Sequence, residues 1–294
     1  MAGSERAPAW RRRLPWLAPW LVAGTCFAQA PAPAPERCGE VVTLEAHDRQ
    51  TQRHAWQPPA APGPADGPVT LVLLAGGSGH LDLDPQGCAR ELKGNSLVRS
   101  VALFNAAGFG TALVDAPSGH HGVDGLGGYR TDARHAQDLG RVIASLRSRT
   151  RGAVWVVGTS RGAISAVNAA ARLSGPAAPD GVVLTSALMA GQPGAKKAWV
   201  AQSVFDLPLE DITVPVLVVG HVADTCVRSP PNLMDRIVAR TRGPRQQLVT
   251  VTGGPARPAP VGLDACEGRS PHGFVEQEAE VAAGIVRFVR GGRF

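Results

Sequence analysis

The sequence runs to 294 residues, 44% hydrophobic and 18% charged, with a formal net charge of +6. That is enough apolar material for one large core and too ordered a composition for a disordered chain, and no apolar run of membrane-spanning length occurs beyond the N-terminal segment. Half of the positive excess lies in the first thirty residues, where Arg6, Arg11, Arg12 and Arg13 outweigh Glu5, so the remainder gives no electrostatic case for a nucleic-acid partner.

Residues 1–30 have the three parts of a secretory signal: basic Arg11-Arg12-Arg13, an apolar stretch from Leu14 to Phe27, and small residues in Ala28-Gln29-Ala30. Cleavage is expected after Ala28 or Ala30. An uncleaved anchor is the alternative, opposed by Pro15 and Pro19 in a run already short for a bilayer. Cleavage removes Cys26 and leaves four cysteines, Cys38, Cys88, Cys226 and Cys266, an even number suited to the oxidising periplasm or exterior. Pairing Cys38 with Cys88 and Cys226 with Cys266 is favoured, because the second bridge would join two loops that the chemistry below needs side by side. The other two connectivities stay open. No Cys-x-x-Cys or His-Glu-x-x-His spacing occurs, so no metal site is expected.

After a stiff spacer, Pro31–Glu36, two alternating segments at about Glu40–Ala46 and Gln50–Trp56 read as a β-hairpin, and a Pro/Ala/Gly tract, Pro58–Pro68, follows. The core is expected over residues 69–294, packed as one domain with 38–68. Its strands are expected at about Val69–Ala75, Thr111–Asp115, Ala153–Gly158, Gly181–Ser186, Val214–Gly220 and Gln247–Thr252. Helices are expected at about Ser96–Ala107, Thr131–Ser148, Gly162–Leu173, Pro231–Thr241 and Val275–Val289. Nearly continuous Val/Leu strands alternating with helices predict an α/β fold with a mostly parallel sheet covered on both faces, and such sheets place their sites beyond the strand C-termini.

The strand ending at Val157 runs into Gly158-Thr-Ser160-Arg161-Gly162 and then an Ala-rich helix, a Gly-x-Ser-x-Gly nucleophile elbow in its strand-turn-helix setting. Gly158 and Gly162 are needed where the turn is too tight for larger side chains. Helix N-terminal amides then face the charge that develops on a substrate. The loop Ala75-Gly76-Gly77-Ser78-Gly79-His80 lacks a P-loop ending and a dinucleotide spacing, so it reads as an oxyanion loop, with backbone N–H groups of Gly77 and Arg161 as donors. A serine needs a histidine to take its proton, and the histidine needs an acid to fix its tautomer. Asp224 follows a strand and serves as that acid. Of eight histidines, His272 alone follows the last strand and precedes the last helix, where the order Ser, acid, His requires it. Pro255, Pro258, Pro260 and Cys266 are expected to stiffen the long loop that carries it.

The ordered set Gly76-Gly77, Gly158 to Gly162, Asp224 and His272 resembles the α/β-hydrolase fold superfamily. More closely it resembles secreted bacterial serine hydrolases of unassigned substrate, in which segments like Asn95-Ser-Leu-Val-Arg99, Asp115-Ala-Pro-Ser118 and Pro271-His-Gly-Phe274 occur. The resemblance covers nearly all of the mature chain. It implies an α/β-hydrolase sandwich that hydrolyses an ester, thioester or amide through an acyl-enzyme, with no metal or organic cofactor. A small ester is the leading substrate, a peptidase or amidase activity the runner-up, and a non-catalytic binding protein on this fold the reading of another class. Oligomeric state is not legible.

Where this superfamily often inserts a lid, the chain has only Ala190–Thr213, with one possible amphipathic turn around Lys197–Phe205. Little or no lid is expected, hence an open site without lipase-like interfacial activation. Tyr129 and Arg130 are placed at the rim of that site or in plain packing. Arg161 and Arg130 either favour an anionic substrate or, as structural arginines, bind carbonyls or Asp115. His120, His121 and Asp124 read as a solvated loop in preference to a metal site.

Overall fold

Alternation of side chains along the central strands decides the architecture. The computed structural model describes residues 1–3, 37–61, 63, 67–255 and 260–294. Glu36–Phe294 forms one unit and Met1–Pro35 another. Nearly all of the signal-like segment, the Pro31–Glu36 spacer, parts of the Pro58–Pro68 tract, and Pro258 lie outside the described residues.

The strands are β1 (Glu40–Glu45), β2 (Thr51–Gln57), β3 (Val69–Leu74), β4 (Gly110–Val114), β5 (Ala153–Thr159), β6 (Gly181–Thr185), β7 (Val216–His221) and β8 (Gln246–Val251). They form one sheet of order β1-β2-β4-β3-β5-β6-β7-β8. β1 and β2 are the expected hairpin and β2 joins β4 antiparallel, while the remaining pairings are parallel. The helices are α1 (Ser96–Ala106), α2 (Ala133–Thr150), α3 (Gly162–Arg172), the four-residue α4 (Ala198–Ala201), α5 (Met234–Arg240) and α6 (Glu278–Val289). None of the described helices is long and apolar enough to cross a membrane.

Along a strand successive side chains point to opposite faces. Leu71, Leu73, Trp155, Val157, Leu217 and Val219 therefore share one core with α1 and α6. Val72, Leu74, Val154, Val156, Val216 and Val218 share the other with α2, α3 and α5. Each such side chain taken from water contributes about 1.5–3 kcal/mol, which is why the Val/Leu runs settle in the middle of the sheet.

Some boundaries differ from the sequence reading for local reasons. Asp132 keeps an extended backbone and its side chain accepts from the Arg134 N–H, so α2 starts at Ala133 rather than Thr131. Pro231–Leu233 forms a 3₁₀ turn ahead of α5, and β7 begins after Pro215, which has no N–H to give the ladder.

The sheet order reverses at β3, because β4 lies on one side of it and β5 on the other. Connections leaving β3 and β5 diverge there and open a crevice beyond their C-terminal ends.

His54 and His135 are among the histidines buried inside this frame. Burial pushes His54 down to about 4 and His135 down to about 3, so both fold as neutral imidazoles. An unfolded chain protonates them near their ordinary value and thus binds more protons in the window between. Stability should therefore fall as pH drops from about 6.5 towards 3–4, by up to ~1.4 kcal/mol per pH unit for each histidine. Thermal midpoints measured across that range should flatten in a His54→Gln/His135→Gln variant. An equal slope in both proteins would contradict this source of acid sensitivity.

Candidate active site

Ser160 sits between β5 and α3 with φ at 53°. That left-handed conformation costs a non-glycine residue about 1–3 kcal/mol and persists only where neighbours impose it. Here the Ser160 N–H donates to the Thr185 carbonyl (3.0 Å), and its own carbonyl accepts from Ala163 (3.1 Å) and Leu188 (3.2 Å). The flanking glycines are required by close approach: a Cβ at Gly158 would stand 2.4 Å from the Gly162 carbonyl oxygen, and one at Gly162 would stand 2.0 Å from that of Leu74. A Cβ at Gly76 would lie 2.9 Å from the Ser160 Cβ, so the loop after β3 presses directly on the serine. Gly77 and Arg161 are joined as well, since an Arg161 Nη1 donates to the Gly77 carbonyl at 3.4 Å.

Asp224 lies in the turn after β7. Its Oδ1 accepts from the Cys226 N–H (2.9 Å), which leaves Oδ2 for His272 Nδ1 at 2.9 Å. The two side chains are 1% and 3% exposed. In this low-dielectric setting the hydrogen bond fixes which ring nitrogen carries the proton. The other nitrogen, His272 Nε2, is buried and has no hydrogen-bond partner. Ser160 and His272 line one cavity of about 340 Å³, together with Gly76, Gly77 and Arg161. In the free protein no hydrogen bond closes the step from serine to imidazole, and such bonds often tighten only when substrate arrives.

The loop bearing His272 is anchored at several points. Ser270 Oγ accepts from the His272 N–H (3.1 Å) and is itself held by the Ala265 and Glu267 carbonyls. Arg99, on α1, donates to the carbonyls of Gly94, Gly268 (2.9 Å) and Gly273 (2.7 Å) and pairs with Glu278. Cys226 is bonded to Cys266, and Cys38 to Cys88. The first of these bridges ties the turn of Asp224 to the loop of His272. Reduction should therefore lower turnover while far-UV circular dichroism stays native, and equal loss of both signals would contradict the role given to this bridge.

Of the two placements open for Tyr129 and Arg130, the structure takes packing. Tyr129 and Arg130 are interior, 7% and 3% exposed. The Tyr129 hydroxyl donates to Asp138 (2.6 Å), and Arg130 donates to Ser165 Oγ (2.7 Å) and the Ala75 carbonyl (3.0 Å). Arg130 is thus a structural arginine on carbonyls, while the arginine on Asp115 is Arg53 (3.3 Å). His120, His121 and Asp124 do not converge: His120 stacks on Tyr129, His121 stacks on His80, and Asp124 binds Lys197 and Trp199. Lys197, then Trp199, hold the Asp124 carboxyl below its usual range.

Among the described residues His80, Asp115 and His121 bring ligand atoms within 4.8 Å. Asp115 already accepts from Leu81, Leu83 and Ala116 N–H groups. The two imidazoles lie nearly parallel at 4.2 Å, so their lone pairs run side by side instead of meeting. This trio reads as a packed corner.

Ala190–Thr213 builds no multi-helix cap, yet α4 lays Trp199 into the cavity wall, and Arg228 enters from the segment after Asp224. Neither residue belongs to a motif. Trp199 carries the one weak signal, a large aromatic in a segment otherwise too short to fold alone.

Among solved structures of like fold, a cold-adapted esterase from an Arctic intertidal metagenomic library aligns over 86% of this chain and 93% of its own, with 16% identity and a TM-score of 0.54. The dienelactone hydrolase of Anabaena variabilis aligns over 86% and 97%, with 14% identity and a TM-score of 0.56. A serine hydrolase of α/β type from Xanthomonas campestris, described as lacking a lid, aligns over 84% and 96%, with 16% identity and a TM-score of 0.50. No protein-family model and no curated protein matches the chain. At these identities the likeness is one of fold.

Proposed function

The chain has the α/β-hydrolase fold, and from that premise we propose that it is a serine hydrolase of small esters, secreted or periplasmic, working through an acyl-enzyme. The observation that carries this reading is Ser160, held in a left-handed turn on the wall of the cavity that also receives His272, whose Nδ1 is bonded to Asp224 and whose Nε2 is free. The two disulfides support the oxidising compartment.

In this reading Ser160 Oγ attacks the ester carbonyl carbon as its proton passes to His272 Nε2. Asp224 Oδ2 accepts from Nδ1–H throughout and stabilises the imidazolium that forms. The N–H groups of Gly77 and Arg161 receive the oxyanion. Collapse expels the alcohol, protonated by His272, and leaves Ser160 acylated. Water then attacks the acyl carbon, His272 takes its proton, and a second collapse releases the acid and restores the serine. A cavity of about 340 Å³ lies at the small end of ligand sites, which favours a short acyl group.

Rapid mixing with p-nitrophenyl acetate tests the acyl-enzyme. A burst of p-nitrophenol equal to the enzyme present, followed by slower turnover, is expected. Hydrolysis of aminoacyl p-nitroanilides with none of the p-nitrophenyl esters turned over would replace the ester reading with an amidase.

A further inference from the structure

The cavity that holds Ser160 and His272 is also lined by Arg161 and Arg228, and no carboxylate lies within ion-pair distance of either among the described residues. Arg161, next to the nucleophile, has its charge over the Trp199 ring at 4.2 Å and one long bond to the Gly77 carbonyl. Arg228, only 9% exposed, donates from Nη2 to the carbonyls of Val200 (2.6 Å) and Gln202 (3.3 Å), while its Nε is buried without a partner.

This arrangement is costly. A buried donor left unsatisfied pays its full desolvation cost, and two like charges in one cavity repel. Burial and then the presence of Arg228 push the Arg161 guanidinium below its usual range, and burial does the same to Arg228. The acidic groups facing Arg161 do not remove the excess. Asp124 is engaged by Lys197 and Trp199, and Glu267, which lines the cavity, is exposed and makes no ion pair with either arginine. Elsewhere Arg53, Arg99, Arg141 and Arg147 each meet a carboxylate, while the buried Arg130 is held by Ser165 Oγ and the Ala75 carbonyl.

We propose that Arg161 and Arg228 form a carboxylate subsite, and that the substrate is an ester carrying a free carboxylate, such as a hemiester of a short dicarboxylic acid. The inference rests on the hydrolase reading for the identity of the reaction, but the subsite stands on the two arginines. A carboxylate there would offset both charges with charge-assisted hydrogen bonds, and Arg presents its donors in a fork that matches the two oxygens. Because Arg161 directly follows Ser160, the bound carboxylate would lie close to the scissile carbonyl, which limits the chain between them to a few carbons. A neutral acyl chain of equal length leaves both guanidinium charges unmatched, and the discrimination expected from one charged hydrogen bond is about tenfold to a hundredfold.

Two measurements test the proposal. The first compares kcat/KM for p-nitrophenyl hydrogen adipate and p-nitrophenyl hexanoate, with p-nitrophenyl acetate as the uncharged reference. The wild-type protein should prefer the adipate by about tenfold or more, chiefly through KM. Arg228→Met and Arg161→Met should each bring the ratio close to one, a quantity that general loss of folded protein does not move, and Arg228→Lys should retain part of it. The second measures calorimetric binding of the adipate dianion and of neutral hexanamide to the Ser160→Ala protein, with the dianion binding more tightly. Ester turnover with no charge preference and no dianion binding would overturn the subsite and leave the hydrolase reading standing. Selective dianion binding without turnover of any ester would support the subsite and overturn the hydrolase reading.

Discussion

Alanine at position 160 should lower kcat by about 10⁶-fold, because a serine nucleophile and its base act as one unit and removing either abolishes the covalent route. The loss should be one of chemistry and not of folding. The bonds that hold Ser160 in its left-handed turn run through its backbone, to Thr185, Ala163 and Leu188, and alanine keeps them. The thermal midpoint should accordingly stay near that of the wild type, and a residual rate of about 10³–10⁴ over water should survive from the oxyanion donors and substrate binding. Steady-state kinetics beside a thermal melt checks both halves. Unchanged turnover in a folded variant would place the nucleophile elsewhere.

Asp224→Asn should lower kcat by about 10⁴-fold with little change in structure. Asparagine retains an oxygen for the Cys226 N–H that now bonds to Oδ1, so the turn after β7 keeps its shape. What changes is the partner of His272 Nδ1, 2.9 Å away and sealed from water. A neutral amide neither stabilises an imidazolium nor enforces the Nδ1–H tautomer that leaves Nε2 ready to accept. The fall should appear in kcat for esters of every chain length alike, since the group acts on the proton and not on the acyl chain. A variant altered in KM alone would assign Asp224 to binding.

The frame of this protein was legible because its physics is periodic. Val/Leu runs such as Val154–Val157 and Val216–Val219 have no polar face to turn outward, and they lie inside a parallel sheet as expected. The tight turn at Ser160 was legible for a different reason: the glycines at 158 and 162 record a close approach of backbones, and that approach is local in sequence. The placement of His272 rested on the order of elements alone, and the contacts that hold its loop, from Arg99 on α1 and from Cys226, come from far away in the chain.

Tertiary partnership also explains what the sequence left open. Tyr129 and Arg130 could have stood at the rim or in plain packing. They are buried because Asp138, Ser165 and the Ala75 carbonyl stand ready to satisfy them, partners that lie up to 55 residues away. Arg228 and Trp199 reach the cavity from segments with no motif, and only the folded chain brings them beside Ser160. Charge and periodicity locate elements; they do not say which buried polar groups will meet.

In the proposed reaction the Ser160 hydroxyl becomes nucleophilic through His272. Reaction with a fluorophosphonate probe followed by peptide mapping tests it most directly. The native protein should carry a single adduct on Ser160, and both heat-denatured protein and a His272→Ala variant should carry almost none. An adduct on another residue, or equal labelling of Ser160 when His272 is removed, would contradict it.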